Sequence, residues 1–82
     1  MQANDLIAAI HRAGLRARPY SGRKMYGKTC VAAELATMAD LSLLGPGLRD
    51  GLEVDELGLG WVAYWPDTLL LTAHESLARQ DH

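Results

Sequence analysis

The segment LGLGWVAYW, residues 57–65, limits what this chain can build. Trp61, Tyr64 and Trp65 are three of its five aromatic residues, and it has no Phe. Such a run of aromatic and branched residues reads as a strand. The two-residue period of a strand puts Trp61, Ala63 and Trp65 on one face and Val62 and Tyr64 on the other. One of these faces is core. The other exposes Tyr64, or both tryptophans if the faces are exchanged. A chain of 82 residues can bury roughly 60–65% of its unfolded surface. It therefore has room for one modest core and one domain, residues 1–82.

The remaining elements follow from spacing and punctuation. In NDLIAAIHRAG, Leu6, Ile7 and Ile10 recur at helical spacing, with Ala9 and Ala13 extending the stripe. Asn4 can cap this helix and Gly14 can stop it. LRARPY alternates apolar and basic residues and reads as a short strand, which Pro19 makes an edge or ends. SGRKMYG is a loop. KTCVAAEL suits a helix through Val31, Leu35 and Met38, or a strand through Val31, Ala33 and Leu35. Thr37 and Asp40 have capping-box spacing, so a helix is expected to begin near residue 38 and stop at GPG. A loop through Gly45, Pro46, Gly47 and Gly51 follows, and the acidic EVDE, residues 53–56, reads as solvated loop. Pro66-Asp67 reads as a turn after which TLLL pairs back as a second hairpin strand. Thr72 and Glu75 then start a short last helix, or one helix covers residues 68–80. The expected class is α+β: a small, mainly antiparallel sheet with an N-terminal helix and one or two further short helices packed on one face.

Gly22 to Thr29, GRKMYGKT, matches the phosphate-loop pattern G-x-x-x-x-G-K-T. A working phosphate loop needs a buried strand before it and a helix starting at the Lys-Thr. The preceding LRARPY, with two arginines and a proline, suits an edge, and the chain is short for a nucleotide fold built from several βαβ units. Nucleotide binding is therefore the weakest reading, and no cofactor is expected. What remains is a basic glycine loop able to hold phosphate groups or acidic side chains. Residues 1–28 carry six of the eight Lys and Arg and one acid, whereas residues 29–82 carry nine acids against Arg49 and Arg79. Folding either sets these halves side by side, where they pair within the molecule, or leaves a basic patch for an acidic partner. Arg12, Arg16, Arg18, Arg23, Lys24 and Lys28, with Tyr20 and Tyr26, also have the make-up of a nucleic-acid-binding segment over residues 12–28. The sequence pI near 5.8 argues against it.

No catalytic constellation stands out, and the chain is read as no enzyme. The lone Cys30 excludes an internal disulfide and lies in an apolar segment, where free Cys behaves as a small hydrophobe. His11, His74 and His82 lack ligand spacing. No apolar run approaches the ~18–20 residues of a membrane span, and the N-terminus lacks the basic start of a signal peptide. A cytosolic protein is expected.

RPYSGRKMYGKTC, followed by DELGLGWVAYWP, resembles small proteins encoded by tailed phages and prophages. These pair a YSGRGMYGK-x-C box with a later D-x-MGLG…YWP box. The two boxes cover about a third of the chain. The sequence departs from them at Lys24, where the family has Gly, and at Leu57, where it has Met. The resemblance implies a strand for KTCVAAEL and a phage accessory gene whose product binds and blocks a host protein, such as a CRISPR effector or a type IV pilus motor, in the host cytoplasm. Arg23, Lys24, Tyr26, Lys28, Tyr20 and Tyr64 are the expected contact residues, and pairing into a homodimer through an exposed sheet edge is open.

Overall fold

The structure is a computed structural model that describes residues 2–22 and 25–70. Helix α1 runs from Ala3 to Arg12 and buries Leu6, Ile7 and Ile10, the stripe that the spacing defines. Burying each of these side chains contributes about 1.5–3 kcal/mol. Asn4 is not the cap. The Leu6 N–H already bonds the Gln2 carbonyl at 3.0 Å, so the first turn starts at Gln2 and Asn4 lies inside it. Gly14 does end the helix. Its φ is +85°, its N–H bonds the His11 carbonyl at 2.9 Å, and the Leu15 N–H bonds the Ile10 carbonyl at 3.1 Å. This is the paired closure of a Schellman motif, which needs a left-handed residue where Gly14 stands.

The chain then enters β1 (Arg16–Tyr20), β2 (Cys30–Leu35), a 3-10 helix (Met38–Leu43), the single turn α2 (Pro46–Arg49), β3 (Glu53–Leu57) and β4 (Gly60–Leu69). The four strands form one antiparallel sheet in the order β1-β2-β4-β3. β1 is thus an edge, as Pro19 requires, and it continues through Pro19 to Tyr20. KTCVAAEL resolves to a central strand, paired on both sides. The Asp40 carboxylate accepts the Ala36 N–H at 2.9 Å and the Thr37 N–H at 3.3 Å, which starts the 3-10 helix at the expected place. The loop expected around Gly45 and Pro46 contains α2, with Pro46 at its start.

Two further expectations are corrected. EVDE is not loop: it opens β3, closed onto β4 by the two-residue turn Gly58-Leu59. Gly58 has φ +61° at the first turn position, as a type II′ hairpin requires. Pro66-Asp67 is not a turn between strands. β4 runs on to Leu69, and its register against β2 jumps from Val31–Trp65 to Cys30–Leu69. Pro66 cannot donate to a ladder, and a bulge accommodates it without reversing the chain. The expected helix over residues 72–80 lies outside the described residues.

The sheet has two apolar faces. On the helix side, Leu6, Ile7 and Ile10 pack with Val31, Ala33, Leu35, Ala63 and Trp65, and Leu44 joins them from the end of the 3-10 helix. On the other side a smaller cluster joins Met25, Cys30, Ala32, Val62 and Tyr64, with Tyr20 and Leu57 against it. Tyr20 and Asp55 share a hydrogen bond although they stand on opposite edge strands. On a flat sheet their Cα atoms would be about 19 Å apart, three strand spacings across and four residues along. That exceeds the reach of the two side chains, so the sheet coils over its second face. Among the described residues no helix covers that face, and the coil lets few side chains bury it.

Candidate functional site

The segment between β1 and β2 holds the most unusual backbone of the described residues. The Met25 N–H bonds the Gly22 carbonyl and the Lys28 N–H bonds the Met25 carbonyl, both at 3.0 Å. Within the second turn, Tyr26 has φ +53° and Gly27 φ +82°. Two successive left-handed residues define a type I′ turn, whose first central position favours Asn, Asp or Gly. A bulky side chain there costs roughly 1–2 kcal/mol. Tyr26 is also the most exposed aromatic described, at 92%. Beside it Met25 is 7% exposed and inserted into the second-face core. One residue anchors the turn, the next projects from it, and the exposed Lys28 follows.

Behind the turn, the Tyr20 and Tyr64 rings lie 4.8 Å apart and tilted by 41°. The Tyr20 hydroxyl donates to Asp55 Oδ2 at 2.7 Å, and Asp55 Oδ1 accepts the Glu56 N–H at 2.9 Å. The hydrogen bond to Asp55, aided by burial, pushes the Tyr20 phenol up to about 12. Burial, then the hydrogen bond and charge of Glu53, raise Tyr64. Burial also pushes the Cys30 thiol up to about 11, which makes it a poor nucleophile.

The expected contact residues therefore divide. Tyr26 and Lys28 share the exposed turn. Tyr20 is half-buried, and Tyr64, only 8% exposed, lies in the second-face core beneath the surface expected of it. Arg23 and Lys24 lie outside the described residues. Sequence reasoning passed over Met25 and Asp55, which hold this region in place. The glycine-loop pattern leads into β2 and not into a helix, so the anion-facing helix start of a phosphate loop is replaced by a strand. Basic β1 and acidic β3 take opposite ends of the strand order. Arg18 pairs with Glu34 at 3.7 Å.

Among the described residues no three His, Cys, Asp or Glu side chains come together to hold a metal ion, and no helix is long and apolar enough to cross a membrane. No protein-family model, curated protein or solved structure matches the chain.

The raised phenol and thiol set an alkaline limit on stability. Tyr20 and Cys30 hold their protons more tightly folded than unfolded. Their contribution is complete below about pH 9 and is lost as pH climbs through about 11 and 12. Denaturant titrations should show stability falling over that interval. In the Asp55→Asn variant, the Tyr20 ionisation followed by ultraviolet absorbance should move down toward 10. Unchanged ionisation in that variant would remove Asp55 as the main cause.

Proposed function

We propose that this chain is a non-catalytic binding protein of phage or prophage origin. It acts in the host cytoplasm and engages a host protein, such as a CRISPR effector or a type IV pilus motor, to inhibit or modulate it. The contact is made by the turn at Tyr26, with Lys28 beside it and the positive charge of Arg23 and Lys24 adjacent in sequence. The observation that carries this reading is Tyr26 itself, a fully solvated aromatic ring on a left-handed residue. Backbone strain of this kind persists where presentation of the side chain is worth more than local stability, and Tyr is favoured as a binding anchor. The matching surface on the partner is an apolar recess rimmed by carboxylates.

The test separates binding from folding. Tyr26→Asn places a residue that tolerates the left-handed region at the strained position, so it should raise stability by about 0.5–1 kcal/mol. The same substitution should abolish capture of the partner from host lysate, and Lys28→Glu should weaken it. A more stable Tyr26→Asn protein that captures the same partner as wild type would overturn the proposal. So would a wild-type chain that captures nothing specific. A labelled nucleic acid shifted at low salt, with a steep loss on adding salt, would favour a nucleic-acid-binding module instead.

A further inference from the structure

We propose that copies of this chain associate head to tail through their sheet edges, β1 of one molecule adding to the outer side of β3 of the next, with Ala17 opposite Val54. The edges themselves supply the reasons. Among the described residues β1 and β3 end the strand order and do not pair with each other. Neighbouring strands are all antiparallel, so β1 and β3 run in opposite directions. A second copy placed alongside in the same orientation therefore brings β1 antiparallel to β3 and continues the alternation of the sheet.

The hydrogen-bonding parity selects the register. The two-residue turn makes Leu57–Gly60 a hydrogen-bonded pair, so Asp55 and Glu53 face β4 and the backbone groups of Val54 and Glu56 face outward. The Glu56 N–H agrees, since it bonds the Asp55 carboxylate and not β4. On β1, Pro19 cannot donate to β2, so Pro19 and Ala17 point outward. The Arg18 Nε on the Pro19 carbonyl, at 3.1 Å, fits that orientation. The outward pair that can exchange two complete hydrogen bonds is thus Ala17 with Val54. Both are apolar and both adjoin the helix-side core. In this register Pro19 meets Leu52, beyond the start of β3, so its missing N–H removes no bond from the junction.

Charge then excludes the symmetric arrangements. Pairing two β3 edges across a two-fold axis at Val54 would oppose Glu53 with Asp55, and pairing two β1 edges at Ala17 would oppose Arg16 with Arg18. The head-to-tail register sets Arg18 opposite the second copy's Glu53 and Arg16 opposite its Asp55, on one face of the continued sheet. Opposite charges in facing positions stabilise an antiparallel pair and like charges destabilise it. Such contacts are heterologous and yield rings or open chains, not closed two-fold dimers.

Sedimentation velocity of the full chain from micromolar to near-millimolar concentration tests this. Average mass should rise past the dimer at low salt and fall back at half-molar salt, where charge pairs are screened. Val54→Pro should leave the β4 ladder intact and hold the chain monomeric. Arg18→Glu and Glu53→Arg should each raise the concentration for half-association by roughly fivefold or more, and mixing the two proteins should restore association. A monomer at every concentration, or a mass that stops at the dimer, would overturn the proposal. So would association that neither charge variant changes.

Discussion

Replacing Gly60 by Ala should lower stability by about 2–3 kcal/mol, the upper part of the range for an overpacked site, although Gly60 has no left-handed backbone to protect. A methyl group there would stand 2.6 Å from the Leu35 carbonyl oxygen. That oxygen belongs to the backbone of central strand β2 and cannot rotate away as a side chain would. In a domain of this size each kcal/mol moves the melting temperature by about 4–8 °C, so the transition should fall by roughly 10–20 °C. Gly58→Ala is the internal comparison. Gly58 has φ +61° with nothing within 4 Å of an added Cβ, so its cost is conformational strain alone, about 1–2 kcal/mol. Thermal and urea denaturation of both variants would check the order. A Gly60→Ala protein as stable as Gly58→Ala would show that β2 and β4 separate more easily than their pairing implies.

The contrast between these glycines shows which parts of the molecule a sequence can convey. Gly14 and Gly58 act locally, and a helix stop or a hairpin turn can be inferred from neighbours a few residues away. Gly60 is constrained by Leu35, twenty-five positions earlier, and no local pattern reports that. The same division separates the elements. Helix α1 was clear because burial on one side imposes a period, and β4, buried on both faces, was clear from its run of aromatic and branched residues. Pro19 marked β1 as an edge because a missing donor has one tolerable place in a sheet. β3 was missed because Glu53, Asp55 and Glu56 hide the alternation, an edge strand needing only Val54 and Leu57 against apolar neighbours. Pro66 misled because a bulge and a turn share the same residue chemistry. In the contact region, Tyr26 and Lys28 were expected on the surface and lie there. Tyr64 was expected beside them but is buried, since its neighbours in space are Tyr20, from the far edge strand, and Met25, from a loop whose path the sequence does not trace.

Trp65→Ala is expected to have the largest effect of all. Trp65 is 5% exposed, and its indole Nε1–H donates to the Leu48 carbonyl at 2.6 Å. The side chain packs in the helix-side core, and its hydrogen bond ties β4 to α2. Truncating a buried Trp to Ala costs about 3–5 kcal/mol. A small domain without metal or disulfide typically has no more than about 3–5 kcal/mol in total. The variant should therefore lack a cooperative thermal transition at neutral pH and bind the dye ANS, as loosely packed chains do. Trp65→Phe separates the two roles of the residue. It keeps most of the apolar volume but leaves the Leu48 carbonyl without its donor, at a cost of about 1–3 kcal/mol. The Trp65→Phe protein should fold, with hydrogen exchange accelerated first around residues 44–52, because that segment loses its tie to the sheet while α1 keeps its own contacts. Uniform acceleration across α1 and the sheet would mean that the indole acts only through its volume, and the hydrogen bond to Leu48 would lose its assigned part in holding α2.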